Sequence, residues 1–385
     1  TPGELKLIGA RVRGKKHKHE GTHCDDWFEL AVSGDWKILA VSDGAGSKKF
    51  SRVGAKVGCE AAVKELKQKL EKHQIELRKS WSKETFERDR TTLAFMEEDI
   101  EFVQKALHTA MQEAYKAIEQ AVAERSESDK YAAILGRQLD VKDLSATLLL
   151  AVHTIIKHQG NNYSFILTCQ VGDGMIAAID YQNKLRLLAM PDSGEFAGQT
   201  DFLTSTKKLT PGNLTRKTFP CFCPLKALMV MSDGVADDYF PNDPGLLNLY
   251  GDLLLNRVID FAKPNVEEEE RTNALQKTAL GNLEAVQTAR PLFQSVVPRL
   301  TDPKDEPKQV RLYSITNYAK ELGQSVSEVI ASPALLEVGL AGEPMWDTCE
   351  AQPPEERLRI WLDSYQVRGS FDDRTLVVLY SEAAR

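Results

Sequence analysis

Four aspartates, Asp26, Asp43, Asp233 and Asp372, stand at the ends of apolar runs, a spacing that could gather carboxylates around hard cations. Asp26 immediately precedes the run Trp27 to Val32. Asp43 follows Trp36 to Ser42, in Val41-Ser42-Asp43-Gly44-Ala45-Gly46. Asp233 follows the run that starts near Ala227, in Met231-Ser232-Asp233-Gly234. Asp372, with Asp373 beside it, precedes Arg374 to Tyr380. In antiparallel strands the start of one lies beside the end of its neighbour, so two aspartates at starts and two at ends can share one edge. Carboxylates that close repel one another and rise in pKa unless a cation neutralises them. An all-oxygen set without His or Cys suits Mg²⁺ or Mn²⁺ rather than zinc or copper. Glycine directly after Asp43 and Asp233 allows a tight turn and leaves the Gly44 carbonyl as a further ligand. One Asp-Gly after a strand is usually a turn; four aspartates at coordinated strand ends point to a metal site.

Other chemistries fail on inspection. Gly44-Ala45-Gly46-Ser47-Lys48 follows a strand and precedes a helix, yet it lacks both the third glycine of a dinucleotide fingerprint and the ending of a Walker loop. No Asp-rich loop ends in the glutamate an EF-hand needs. Ser42 and Ser232 precede aspartates but do not sit in a Gly-x-Ser-x-Gly elbow, which argues against a serine hydrolase.

The elements that would position the aspartates follow from periodicity. Trp27 to Val32 and Trp36 to Ser42 read as strands around a Ser33-Gly34-Asp35 turn. Val53, Val57, Ala61, Leu66 and Leu70 predict a helix over Ser51 to His73. After the charged stretch Arg78 to Arg90, Ile100, Val103, Leu107, Met111 and Ala114 predict another over about Phe95 to Arg125. Strands are expected at Ser145 to Ile155, Tyr163 to Val171, Met175 to Asp180, Lys184 to Leu188 and Ala227 to Ser232, with Gly172-Asp173-Gly174 as a hairpin turn. Residues 241–356 differ in kind: helical segments separated by Pro-rich and charged breaks, including Glu267 to Arg271 and Thr301 to Lys308. Apolar faces within Ile315 to Ile330 suggest that this insertion packs on the body. Arg374 to Tyr380 closes the chain as a last strand. Tight turns rather than βα crossovers join the strands, so the expected class is α+β, a central antiparallel β-sandwich flanked by helices. The expected organisation is one domain over 1–385, interrupted by the 241–356 insertion.

Bulk properties exclude several partners. A formal net charge of -7 argues against a nucleic-acid interface, and the most basic stretch, Arg11 to His19, is short and expected to be solvated. No apolar run approaches the roughly 20 residues that span a bilayer, and the first residues hold no signal-peptide core. The six cysteines are scattered, and only Cys221 and Cys223 are close, with no His after them. That pattern suits reduced thiols in the cytoplasm, not a zinc site or a disulfide scaffold.

The ordered motifs resemble the metal-dependent serine/threonine phosphatases of the phosphatase-2C type. Cys24-Asp25-Asp26 stands where that family has an acidic or Gln-Asp pair, and Asp43-Gly44-Ala45-Gly46 resembles its Asp-Gly-x-Gly signature. Ser145-Ala146-Thr147 resembles its small-small-Thr strand start, and Val171-Gly172-Asp173 its Gly-Asp turn. Ser232-Asp233-Gly234 and Asp372-Asp373-Arg374-Thr375 resemble its last two metal motifs. Gly14, His17, Gly21 and Cys24, and the segment Gly194-Glu195-Phe196-Ala197 through Phe202-Leu203-Thr204, resemble a bacterial branch.

The resemblance implies paired helices on each side of the sandwich, a four-layer αββα arrangement. It implies that Asp26, Asp43, Gly44, Asp233 and Asp372 bind two divalent cations, Mn²⁺ or Mg²⁺, with Asp173 joining Asp233 around a looser third. Asp25 and Asp373 are the adjacent alternatives. Ala45 replaces the histidine that many eukaryotic members carry as general acid, leaving His17, His23 or water as proton donor. No Arg stands just upstream of Asp26; Arg13 is the nearest candidate for gripping phosphate. The implied activity is hydrolysis of phosphoserine and phosphothreonine on proteins by a metal-activated water. The rivals are a pseudophosphatase serving as an interaction module, and a phosphatase acting on a small phosphorylated molecule or nucleotide. The implied partner is a phosphorylated protein, with no nucleic acid and no membrane, and the insertion offers room for a regulatory partner.

Overall fold

Along Trp36–Ser42, Trp36, Ile38 and Ala40 face one way and Leu39 and Val41 the other. Along Arg374–Ser381, Leu376, Val378 and Tyr380 likewise oppose Val377 and Leu379. Both faces of these strands are apolar, so each sheet must be covered twice, once by its partner sheet and once by helices. The computed structural model describes residues 5–75, 93–158, 161–191, 201–261, 293–297, 308–312, 314–339, 353–365, 367 and 371–381.

The strands are β1 (Leu5–Val12), β2 (Trp27–Ser33), β3 (Trp36–Ser42), β4 (Leu148–His158), β5 (Asn161–Val171), β6 (Met175–Asp180), β7 (Leu185–Leu187), β8 (Thr218–Cys223), β9 (Leu225–Met231), β10 (Phe293–Val297), β11 (Lys308–Leu312) and β12 (Arg374–Ser381). They form one antiparallel sheet ordered β1-β12-β9-β6-β7, a second ordered β2-β3-β4-β5-β8, and the separate pair β10-β11. Leu39, Val41, Leu149 and Ile166 of the second sheet meet Ile176, Leu228, Val377 and Leu379 of the first between the layers. The helices Ser51–Leu70 and Glu97–Ser126 cover the outer face of the second sheet. In the longer one, Val103, Ala106, Leu107, Ala110, Met111, Ala114, Ile118 and Ala121 are buried at helical spacing. Glu97, Glu98 and Asp99 occupy its first turn, where they complement the helix dipole. The helices Asn242–Leu255, Ile315–Leu322, Val326–Ala331 and Pro354–Ser364 cover the first sheet, burying Leu246, Leu249, Tyr318, Val329 and Trp361. The result is the expected four-layer α+β sandwich.

Register brings one end of both sheets together. Trp27 pairs with Ser42, Leu148 with Val171, and Met231 with both Met175 and Leu376. The residues just outside those pairs are Asp26 and Asp43, Thr147 and Gly172, Gly174 and Ser232, and Thr375.

Several expectations are corrected. Gly172-Asp173-Gly174 is not a hairpin turn: β5 and β6 lie in different sheets, and the segment carries the chain between layers. Gly172 makes the crossing at φ +124°, where a Cβ would lie 2.5 Å from Thr147 Cβ. Arg11 to His19 is solvated only in part: Arg13, Lys15, Lys16, Lys18 and His19 are exposed, but Arg11 lies in β1, Lys15–Glu20 is a short helix, and His17 is buried. Residues 241–356 contain β10 and β11 as well as helices. Arg78 to Arg90, Gly194 to Ala197, Glu267 to Arg271 and residues 301–307 lie outside the described residues.

Candidate metal centre

At the shared sheet end, ligand oxygens of Asp43, Asp173 and Asp233 all lie within 4.8 Å of one another, and the three side chains are half-buried. Each is held by a different piece of chain. Asp43 directly follows β3, where its N–H donates to the Thr147 hydroxyl at 2.8 Å and its carbonyl accepts the Thr147 N–H at 2.8 Å. Asp173 comes from the segment crossing between sheets. Asp233 opens the short helix Asp233–Ala236 after β9. Gly234 in that helix must lack a side chain, because a Cβ would lie 1.9 Å from the Asp373 carbonyl oxygen.

Asp26 is fully buried beside this group. Its Oδ2 accepts the Thr375 hydroxyl at 2.6 Å, while its Oδ1 has no hydrogen-bond partner. Asp233 Oδ1 is also buried and unpartnered. Burial pushes Asp26 up to about 6, against a lowering hydrogen bond with Asp43. Burial, and then the charges of Asp26 and Asp233, hold Asp43 well above the usual carboxylate range. Asp233 is raised by burial and by Asp173, Asp372 and Asp26. Carboxylates in this state, with buried oxygens lacking donors, are short of positive charge, and an all-oxygen set fits a hard divalent cation.

Asp372 and Asp373 differ sharply. Asp372 is exposed, and its Oδ1 accepts the Asp373 N–H at 2.9 Å. Its charge raises both Asp43 and Asp233. Asp373 is buried and accepts from the Gly14 N–H at 2.7 Å, the Asp25 N–H at 2.6 Å and His17 Nδ1 at 2.8 Å. Asp25 lies 3.8 Å from His17 Nε2. Gly44 is buried and bridges to Ala146.

Arg13 and His23 are exposed, and the Arg13 guanidinium donates to the Thr22 carbonyl at 2.9 Å. Arg11 lies closer to the carboxylates: its guanidinium donates to the Asp26 carbonyl and stacks 4.1 Å from the Trp27 ring centroid. Sequence reasoning missed Asp237, whose carboxyl is raised by burial and by Asp173, Asp238 and Asp372. Its signal was present, since it stands four residues after Asp233, one helical turn on.

The sequence matches the family described as protein phosphatase 2C over residues 13–278. That match ends before Asp372. No curated protein matches. Among solved structures, a bacterial serine phosphatase is 10% identical with a TM-score of 0.38, covering 100% of this chain and 99% of that one. A serine/threonine phosphatase from Staphylococcus aureus is 11% identical with a TM-score of 0.36, covering 100% and 96%. A serine-threonine phosphatase 2C from Toxoplasma gondii is 13% identical with a TM-score of 0.36, covering 99% and 96%.

Proposed function

The chain belongs to the protein phosphatase 2C family, and from that we propose that it hydrolyses phosphoserine and phosphothreonine esters on other proteins. The observation that carries this reading is the convergence of Asp43, Asp173 and Asp233 oxygens within 4.8 Å. In this reading Asp26, Asp43, Asp233, Asp372 and the Gly44 carbonyl hold two divalent cations, Mn²⁺ or Mg²⁺, and Asp173 with Asp233 holds a looser third. Bound there, such cations lower the pKa of water for in-line attack and offset charge on the phosphoryl oxygens.

The protein's own groups do the positioning. Thr147 clamps the backbone of Asp43 from both sides. Thr375 orients the Asp26 carboxylate through its hydroxyl, and its N–H donates to the Ser232 hydroxyl at 3.0 Å, tying Asp26 to the start of the Asp233 helix. His17, held between Asp373 and Asp25, acts as a positioning residue, and the leaving group takes its proton from water. Scattered cysteines suit a reducing compartment, so we assign the enzyme to the cytoplasm. The 241–356 stretch stays within one phosphatase domain as an insertion available to a regulatory partner.

The test runs a phosphothreonine peptide, a nucleoside triphosphate and a sugar phosphate in parallel under saturating Mn²⁺. Peptide turnover well above both others is expected. Turnover confined to the small esters would move the substrate class, and no turnover with bound metal would make the chain an interaction module.

A further inference from the structure

Away from the carboxylate centre, β7 and β8 each form one edge of a different sheet. A cavity of about 270 Å³ lies there, lined by Asp180, Arg186, Leu188, Phe222, Cys221 and Cys223 among others. Cys221 and Cys223 are two residues apart on β8, so both point to the same face, and their sulfurs lie 3.8 Å apart. Arg186 reaches over from β7, fixed by an ion pair with Asp180 at 2.7 Å, and its guanidinium acts on both sulfurs. Both thiols are buried, 5% and 2% exposed, so the cavity they line is the route by which a small disulfide reaches them; side by side and beside a cation, they are the parts of an exchange site.

We infer that Cys221 and Cys223 are a reversible oxidation site for a low-molecular-weight disulfide, closing an intrachain bond within β8. The Cys221 thiolate attacks one sulfur of the disulfide, forming a mixed disulfide and releasing one small thiolate. The Cys223 thiol gives up its proton to that thiolate and attacks the Cys221 sulfur. The protein S–S bond forms, and the second small thiolate leaves and takes a proton from water. Two protein thiols are oxidised and one small disulfide is reduced to two thiols. Alternate strand residues have Cα atoms about 6.6 Å apart, at the long end of the range a disulfide spans, so the bond is strained and readily reduced. The assignment of the attacking sulfur agrees with local electrostatics: the hydrogen bond from Cys223 and the Arg186 charge hold Cys221 below the usual thiol range, against burial. Burial instead pushes Cys59 up and Cys169 up to about 12.

The test exposes the reduced, folded chain to oxidised glutathione, quenches with acid, alkylates in denaturant and digests with trypsin. Cleavage after Lys217 and Lys226 releases both cysteines on one peptide. That peptide should appear without alkyl groups and two hydrogens lighter, while the Cys59 and Cys169 peptides stay alkylated, and dithiothreitol should reverse the change. Cys223→Ser should retain one glutathione on Cys221, and Cys221→Ser should leave Cys223 reduced. The proposal is overturned if the wild-type peptide is still fully alkylated, or if it oxidises only after the chain is unfolded in urea.

Discussion

His17 Nδ1 lies 2.8 Å from the buried Asp373 carboxylate, tying the short helix after β1 to the segment that opens β12. The same carboxylate takes the Gly14 and Asp25 amides, so one side chain gathers three donors from the chain's first strand connection. Its neighbour Asp372 is exposed and faces the other aspartates only through its charge. Two adjacent residues of one type therefore differ in surroundings, one buried among three donors and one exposed with its charge acting on the other carboxylates.

That difference predicts opposite mutant behaviour. Asp373→Ala leaves three donors without an acceptor, each costing about 1–3 kcal/mol, and should lower Tm by several degrees. Asp372→Asn keeps the bond to the Asp373 amide through its own oxygen and should change stability by less than about 0.5 kcal/mol, while turnover falls steeply. Thermal melts and peptide assays on both variants decide it, and the reverse pattern would exchange the two roles.

Cation dependence should be visible in stability and in proton release as well as rate. Hydrolysis of p-nitrophenyl phosphate should require Mn²⁺ or Mg²⁺ and stop with EDTA. Saturation at a hundred times Kd should stabilise the fold by about 2.7 kcal/mol. Because burial pushes Asp26 up to about 6 and raises Asp43 as well, cation binding should release protons. Apparent affinity should therefore rise as pH increases through about 6, and calorimetry in buffers of different ionisation enthalpy should register the release. Full activity after exhaustive chelation would defeat this.

Asp252 predicts a pH effect outside the carboxylate cluster. It is buried in the helix Asn242–Leu255, accepting the Ile315 N–H at 2.6 Å and the Tyr239 hydroxyl at 2.8 Å. Burial pushes it up to about 7 despite both bonds. The folded state then binds a proton that the unfolded chain gives up near pH 4, so this contribution is full below about pH 4 and declines as pH rises through 7. Asp252→Asn copies the neutral acid and should flatten that decline. The readout is the difference in Tm between wild type and variant from pH 5 to 8 in saturating Mg²⁺, which should shift in the variant's favour as pH rises. A difference independent of pH would remove Asp252 as the source.

The strand ends that carry the aspartates were legible because apolar runs and Asp-Gly punctuation are local signals. β3 and β12 are near-continuous apolar runs, and Asp26, Asp43, Asp233 and Asp372 all sit at their borders or those of their neighbours. What escaped depends on distant partners. β1 contains Gly9 and is a strand because it pairs along β12. β8 contains Pro220, which reads against a strand but is tolerated on an edge. The Gly172 turn has the composition of a hairpin, and nothing local says that β6 joins the other sheet. Asp237 lies just past a helix of four residues, too short for periodicity to register, so its spacing from Asp233 was the one local signal.

The sharpest contrast lies between the aspartates and the serine beside one of them. Asp43→Asn and Asp233→Asn each keep shape and one oxygen but remove a charge that a cation needs. The loss should cost several kcal/mol in the transition state, on the order of a hundredfold to ten-thousandfold in rate. Without metal these carboxylates repel, since burial and neighbouring charge raise both. Removing one should therefore leave metal-free Tm unchanged or slightly higher. Ser42 is buried, and its hydroxyl donates to the Thr147 carbonyl. Ser42→Ala loses that bond, about 1 kcal/mol, and should melt slightly earlier while keeping its turnover. A serine hydrolase acting through Ser42 would instead lose its activity with the hydroxyl. Turnover of a phosphothreonine peptide in saturating Mn²⁺, with melts in metal and in EDTA, separates the two. Near-normal rates in both aspartate variants would sink the metal centre, and a folded but inactive Ser42→Ala would replace it with a nucleophile.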